Sequence, residues 1–211
     1  MRNSDKTPIL SVLLRGPPSS GKTAIAAKIA VESQYPFVRM ISADEMIGYS
    51  DASKCQEIHK AFLDAYKSPL SLIFLDDIER LIDYVHIGPR FSNSVLQTLL
   101  VLLKKPPPDE RRRLLVIGTT SVAHVMEDLG ISQAFSLSQS INLLEEPSEI
   151  VAVLSAVTGI SQTDAAAIAG SINRPIGIKH LLMVAEMARQ SSDTGNIGVN
   201  TFLECLHTVG Y

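Results

Sequence analysis

Residues 16–23 read Gly-Pro-Pro-Ser-Ser-Gly-Lys-Thr, which satisfies the pattern G-x-x-x-x-G-K-[ST] at every position. The chemistry of that spacing is anion binding. Gly16 and Gly21 let the backbone turn tightly, so that successive N–H groups converge on phosphate oxygens. A helix that begins where the loop ends adds the positive end of its dipole. Lys22 then reaches the β- and γ-phosphates of a nucleoside triphosphate, and the Thr23 hydroxyl holds Mg²⁺. The candidate cofactor-binding segment is Pro18, Ser19, Ser20, Gly21, Lys22 and Thr23, with Ala24 and Ile25 behind them. The competing reading is a chance match in a Gly-Pro turn. The flanks argue against it: residues 9–14 are an apolar, β-branched run that reads as a buried strand, and residues 23–30 read as an Ala/Ile-rich helix.

Three further groups could complete such a site. Leu72-Ile73-Phe74-Leu75-Asp76-Asp77 is an apolar strand ending in two carboxylates. Asp76 would orient Mg²⁺ through its water shell, and Asp77 could polarise an attacking water as general base. The alternative is a strand-end turn with solvated carboxylates. Ile117-Gly118-Thr119-Thr120-Ser121 ends another strand in small hydroxyl residues. These could bond the γ-phosphate or the lytic water, or Ser121 could cap the helix that follows, or do both. Arg174-Pro175-Ile176-Gly177-Ile178-Lys179 sets a lysine at the start of a helix. A cation gains nothing from the dipole there, so Lys179 is a candidate phosphate ligand.

The elements that would position these groups alternate between strand and helix up to about residue 143. Strands are expected at 9–14, 37–41, 70–75, 114–117 and 141–144, with helices at 23–30, 53–66 and 93–103. Five strands with helical crossovers imply an α/β fold around a parallel sheet, with a ligand at the strands' carboxyl ends. Residues 104–113, rich in Pro and charge, read as a surface loop. Beyond Pro147 there are no β-rich runs. Helices at 148–157 (capped by Ser148), 163–170, 178–189 and 200–207 read as a small helical lid. The expected division is 1–146 for the α/β nucleotide-binding subdomain and 147–211 for the lid.

Composition narrows the partners. At 45% apolar and 19% charged residues, the 211-residue chain is globular. A net charge of −3 gives no reason to invoke nucleic acid or anionic lipid. Cys55 and Cys205 form no CxxC pair, which points to a reducing, cytoplasmic compartment. The five histidines (His59, His86, His124, His180, His207) lack metal-ligand spacing and read as structural or solvent-facing. No apolar stretch is long enough to span a bilayer, so no membrane insertion is expected.

With these motifs in this order the chain resembles the AAA+ ATPases, and within them the second ATPase domain of the N-ethylmaleimide-sensitive fusion factor family, chaperones that disassemble SNARE complexes. Besides the segments above, Met46-Ile47-Gly48, Lys54-Cys55-Gln56, Ile78-Glu79-Arg80-Leu81, Ile87-Gly88-Pro89-Arg90-Phe91-Ser92-Asn93 and Leu100-Val101-Leu102-Leu103-Lys104-Lys105 carry the likeness. It covers nearly the whole chain and is strongest over residues 8–122. It implies a P-loop NTPase AAA+ core that binds ATP and Mg²⁺ tightly, hydrolyses ATP slowly, and holds a homo-hexamer together. It implies Thr23 and Asp76 as Mg²⁺ groups, Lys179 contacting the γ-phosphate in cis, and Lys104 reaching the γ-phosphate of the neighbouring subunit. In the complete protein the partners would be SNARE complexes, bound through SNAP adaptors.

Several departures from the AAA+ pattern point the same way. The usual Glu after the Mg²⁺ carboxylate is Asp77, one methylene shorter, which withdraws the carboxylate by over ~1 Å; displacement of about 1 Å can cost roughly 100-fold in rate. The usual Asn of the third motif is Ser121. Residues 130–140, where arginine fingers worth roughly 10³–10⁵ in rate are usual, contain no Arg. A substrate-pulling aromatic is missing at Met46-Ile47-Gly48. Binding groups stay while turnover and pulling weaken. A working ATPase motor and a nucleotide-dependent scaffold without turnover are the alternatives. Only about eight residues precede the first strand, so the segment that covers adenine in AAA+ domains is expected outside this chain.

Overall fold

The structure, a computed structural model, describes residues 7–88, 90–192 and 197–211. Pro89 of the Ile87–Asn93 motif and the first six residues of the expected 1–146 subdomain lie outside the described residues.

Two compact units divide the chain. The first comprises Met1–Gly16 and Lys22–Ile141. Its elements run β1 (Ile9–Arg15), α1 (Lys22–Glu32), β2 (Phe37–Ile41), α2 (Asp51–Ala65), β3 (Leu70–Leu75), α3 (Ile78–Leu81), α4 (Asn93–Leu102), β4 (Arg113–Thr120), α5 (Ala123–Asp128) and β5 (Leu137–Ser140), with 3₁₀ turns at Ala43–Met46 and Ser132–Ala134. The strands form one all-parallel sheet in the order β2-β3-β4-β1-β5. Strands covered on both faces have no use for alternation, which is why β3 is a continuous apolar run, buried from Ser71 to Leu75. The one polar side chain in that stretch, Ser71, donates to the Ala65 carbonyl at 2.6 Å.

One sheet face packs against Ile58, Phe62, Leu96 and Leu99 of α2 and α4, and the other forms a smaller core around Leu14, Ala26 and Phe74 under α1. Gly118 on β4 permits a close approach. A Cβ there would lie 2.6 Å from Phe135 Cζ and 2.8 Å from Ile78 Cδ1. The order places β4 between β1 and β3, so the ends of all three strands lie side by side. Ser50 and Ser92 cap α2 and α4 by accepting the Ser53 and Val95 N–H groups.

The fifth strand is Leu137–Ser140, not the expected 141–144. Its residues are exposed along an edge paired only to β1, so Leu-Ser-Gln-Ser carries little apolar signal. Ile141 instead donates its N–H to the Arg15 carbonyl at 2.8 Å.

The second unit comprises Pro17–Gly21 and Asn142–Tyr211. It holds α6 (Pro147–Thr158), α7 (Gln162–Ser171), α8 (Ile178–Gln190) and α9 (Val199–Thr208), around Leu154, Ile168, Leu181 and Phe202. Leu144 and Ile176 form an antiparallel bridge. The cap of α6 is Glu146 rather than Ser148. Proline lacks an N–H and has φ preset for the first helical position, so Pro147 takes that place and moves the cap back by two residues. Glu146 and Glu149 close a capping box there. Among the described residues no helix is long and apolar enough to cross a membrane.

Candidate functional site

The loop 16–23 turns through two left-handed residues, Ser19 at φ 66° and Gly21 at φ 94°. Lys22 opens α1 and is only 5% exposed. Its Nζ donates to the Gly16 carbonyl at 2.9 Å, folding the side chain back over its own loop. Burial lowers its pKa from the usual lysine range, and the nearby Asp77, Glu79 and Asp76 oppose that shift. A desolvated ammonium cradled by a loop is suited to an anionic ligand. Ser20 is buried, and its Oγ finds no hydrogen-bond partner among the described residues. The loop therefore holds a polar group not used among the described residues, which fits a phosphate-bearing ligand. Pro18, Thr23, Ala24 and Ile25 are exposed around it.

At the end of β3, Asp76 Oδ1 accepts hydrogen bonds from Thr23 Oγ1 at 2.9 Å and from Thr119 Oγ1 at 2.8 Å. Thr119 Oγ1 also accepts the Asp77 N–H at 2.8 Å. One fully buried hydroxyl thus ties both carboxylate residues to β4. Pairing of Leu75 with Gly118 explains this, because the next residues along the two parallel strands are Asp76 and Thr119. The expected pair for Mg²⁺, Thr23 and Asp76, is brought within hydrogen-bond distance. A hydroxyl and one carboxylate suit an ion that keeps most of its water and takes the rest of its ligands from phosphate.

Asp77 occupies the left-handed region, φ 48° and ψ 67°, a conformation Asp tolerates better than most residues. Burial, then the adjacent Asp76 and Glu79, raise its carboxyl above the usual range. Its Oδ2 lies 3.6 Å from Arg80 Nε. Glu79 Oε1 accepts the Ser121 N–H at 2.8 Å, while Oε2 is buried without a partner among the described residues. Ser121 does not cap α5. Val122 occupies that position, and Thr120 Oγ1 accepts the Val122 N–H instead. The turn geometry that holds Thr120 and Glu79 against residues 121–122 leaves Ser121 one place too early to cap.

Lys179 is exposed, and its N–H donates to the Ser19 carbonyl at 3.2 Å. Lys104 is exposed just beyond α4, its N–H donating to the Val101 carbonyl. Met46 is buried while Ile47 is 80% exposed. The structure adds two groups whose jobs the sequence did not reveal, Thr119 as the bridge between carboxylates and Glu79 as the anchor of the third motif. The signal for Thr119 was its place opposite Asp76 in a parallel pairing; for Glu79 there was no comparable pattern.

Comparison with known proteins agrees with this arrangement. Residues 12–141 match the ATPase family associated with various cellular activities (AAA). The chain is 44% identical to a vesicle-fusing ATPase of Arabidopsis thaliana, over 96% of this chain and 28% of that protein. It is 43% identical to a vesicle-fusing ATPase of Dictyostelium discoideum, over 98% and 27%. It is 39% identical to the vesicular-fusion protein SEC18 of Saccharomyces cerevisiae, over 93% and 26%. The chain spans about a quarter of the length of these relatives. A phosphate loop, a paired carboxylate strand end and a hydroxyl-bearing strand between them, matched over more than half its length, make this chain a member of the AAA family of ATPases.

Proposed function

We propose that this chain is the Mg·ATP-binding domain that holds a hexameric SNARE-disassembly chaperone together, hydrolysing ATP slowly and supporting vesicle fusion and SNARE recycling in the complete protein. The observation that carries the reading is the hydrogen-bonded run Thr23–Asp76–Thr119–Asp77 beside the buried Lys22. The names of the relatives, vesicle-fusing ATPase and SEC18, support the cellular role.

Lys22 releases the Gly16 carbonyl and takes phosphate oxygens. Thr23 and Asp76 would hold Mg²⁺, which when bound would supply charge neutralisation on the phosphates. Asp77 accepts the proton of the attacking water, and its raised pKa makes it a stronger base than an ordinary aspartate. Its short side chain and the pull of Arg80 on Oδ2 hold it back from that water, which makes turnover slow. Ser121, fixed through its backbone by Glu79, orients the γ-phosphate. Lys179 contacts that phosphate in cis, and Lys104 reaches the phosphate of the adjoining subunit. SNARE complexes engage the complete protein through SNAP adaptors, in the cytoplasm. A nucleotide bound at each subunit interface stabilises a ring by about 2.7 kcal/mol per site when the ligand is 100-fold above its Kd.

Light-scattering mass with and without Mg·ATP, read beside phosphate release, tests this. We expect a mass of about six subunits, the closed ring proposed above, only with Mg·ATP, and slow release. ATP binding with no change of mass in the complete protein overturns the ring-holding role. The second reading, an active remodelling motor, is favoured by the raised basicity of Asp77. Asp77→Glu restores the missing methylene. A large rise in turnover would mean that only the reach of the base is short.

A further inference from the structure

Ser19 makes more contacts than phosphate binding asks of a loop residue. It holds a left-handed φ of 66°, which a serine keeps only where its surroundings fix it. The Lys179 N–H donates to its carbonyl at 3.2 Å. A Cβ on Gly177 would stand 2.8 Å from Ser19 Cβ and 2.9 Å from its carbonyl oxygen, so only glycine fits there. The Ser19 hydroxyl lies 3.4 Å from His180 Nε2. The other nitrogen of that ring, Nδ1, lies 3.3 Å from the Tyr211 hydroxyl. Arg174 in turn sits over the Tyr211 ring, 4.2 Å from its centroid, and donates to the Gly210 carbonyl. A neutral imidazole has one donor and one acceptor, and a hydroxyl can serve as either. The ring therefore satisfies both neighbours in either tautomer.

Neither His180 nor Tyr211 belongs to the phosphate-binding pattern, and spacing alone reads His180 as structural or solvent-facing. We propose that His180 is a positioning residue for the nucleotide loop. Tyr211, steadied by Arg174, holds the ring on one side. The ring fixes the Ser19 side chain on the other, and with it the backbone that turns N–H groups toward phosphate. Lys179 shares the tether through its own N–H, so the same contact sets where α8 begins. ATP affinity thus depends on Tyr211, a residue remote in sequence from every phosphate ligand. The inference rests on residues 16–23 binding nucleotide.

A double-mutant cycle in the 211-residue chain tests it, with affinity for a fluorescent ATP analogue and Mg²⁺ as the readout. Ser19→Ala and His180→Ala are each expected to weaken binding about fivefold, the worth of one side-chain hydrogen bond. Their combination should be no weaker than either alone. Tyr211→Phe keeps the ring under Arg174 and should weaken binding only while His180 is present. His180→Gln, which can still bond a hydroxyl, should recover part of the loss. Melting temperature, followed in parallel, should stay within a few degrees. Strictly additive losses, or wild-type affinity in His180→Ala, overturn the positioning role while leaving the nucleotide reading intact. If the wild-type chain and Lys22→Ala both fail to bind the analogue, the nucleotide reading falls and the positioning role with it.

Discussion

At the end of β3, Asp76 and Asp77 are held by a buried hydroxyl that the parallel register supplies from β4, and Asp76 also by a hydroxyl from the start of α1. Around Ser19, by contrast, the loop is held by a helix N-terminus and a histidine whose far side rests on a residue from beyond α9. The first arrangement is rigid because strands cannot slide without losing their ladder. The second rests on a few contacts of about 3.3 Å between segments distant in sequence. Strand ends therefore suit groups that must not move, such as a metal ligand and a base. A loop tied by side chains suits groups whose position can follow the state of the ligand.

The largest effect should come from the cation that follows the loop. Lys22→Ala removes at least two charge-assisted hydrogen bonds to phosphate, each worth about 1.5–3 kcal/mol. ATP affinity, measured by calorimetry, should fall about 100-fold or more. A loss below tenfold would mean that the ammonium remains on the Gly16 carbonyl and the loop backbone carries the binding.

Next comes the base. Asp77→Asn should lower kcat by about 10²–10⁴ while ATP affinity stays within a few-fold. In the wild-type chain, the acid limb of the kcat/KM profile, which reports the ligand-free site, should lie above the ordinary aspartate pKa of about 4, because burial and neighbouring carboxylates raise the Asp77 pKa. The limb should vanish in Asp77→Asn. Stability gives an independent check of sign. A carboxyl that binds its proton more tightly when folded disfavours the folded state once ionised. That penalty is complete above the folded pKa and disappears as pH falls to the unfolded value. Asp77→Asn should therefore melt higher than wild type at pH 7 and not at about pH 4. A gain that persists at low pH would place the effect elsewhere.

Thr119→Val removes the bridge without touching either carboxylate, and fills nearly the same volume. Loss of an outer group that orients a metal ligand typically costs about 10–100-fold. Hydrolysis should fall by that amount, and the Mg²⁺ concentration for half-maximal rate should rise. Ser121→Ala should cost less, since Glu79 grips the backbone of residue 121 rather than its hydroxyl. If Ser121→Ala costs more than Thr119→Val, the Ser121 hydroxyl's hold on the γ-phosphate outweighs the Thr119 bridge.

The same contrast decides what could be read in the sequence. Strands β3 and β4 announce themselves because burial leaves an apolar run between their ends. Strands β1 and β2 are read from apolar, β-branched residues, although β2 is exposed from Val38 to Met40. Lys22, Thr23, Asp76 and Asp77 follow from their places at or just beyond strand ends. Strand β5 escapes because Leu-Ser-Gln-Ser on an exposed edge has no apolar period to detect. Helix α3 escapes for another reason: it is a single turn begun by a left-handed Asp77, too short for any periodicity. Thr119 was visible as a hydroxyl, yet its partners depend on which strands are neighbours. His180 and Tyr211 meet only through folding, and nothing in their spacing foretells it.

The smallest expected effect concerns the helical unit, where position depends on caps and side chains rather than on a ladder. Glu149 Oε2 accepts the N–H groups of Glu145 at 3.1 Å and Glu146 at 3.2 Å, closing the box that starts α6 at Pro147. Removing a cap costs about 0.5–2 kcal/mol, so Glu149→Ala should lower the melting temperature by a few degrees, at about 2–4 °C per kcal/mol for a chain of this size. The location of the loss carries the information. If hydrogen exchange speeds up only across α6 and its neighbours α7 and α8, the helical unit opens by itself and the Ser19 tether can follow it. If β3 and β4 lose protection equally, the two units unfold as one, and the rigidity assigned to the strand ends is shared by the whole chain.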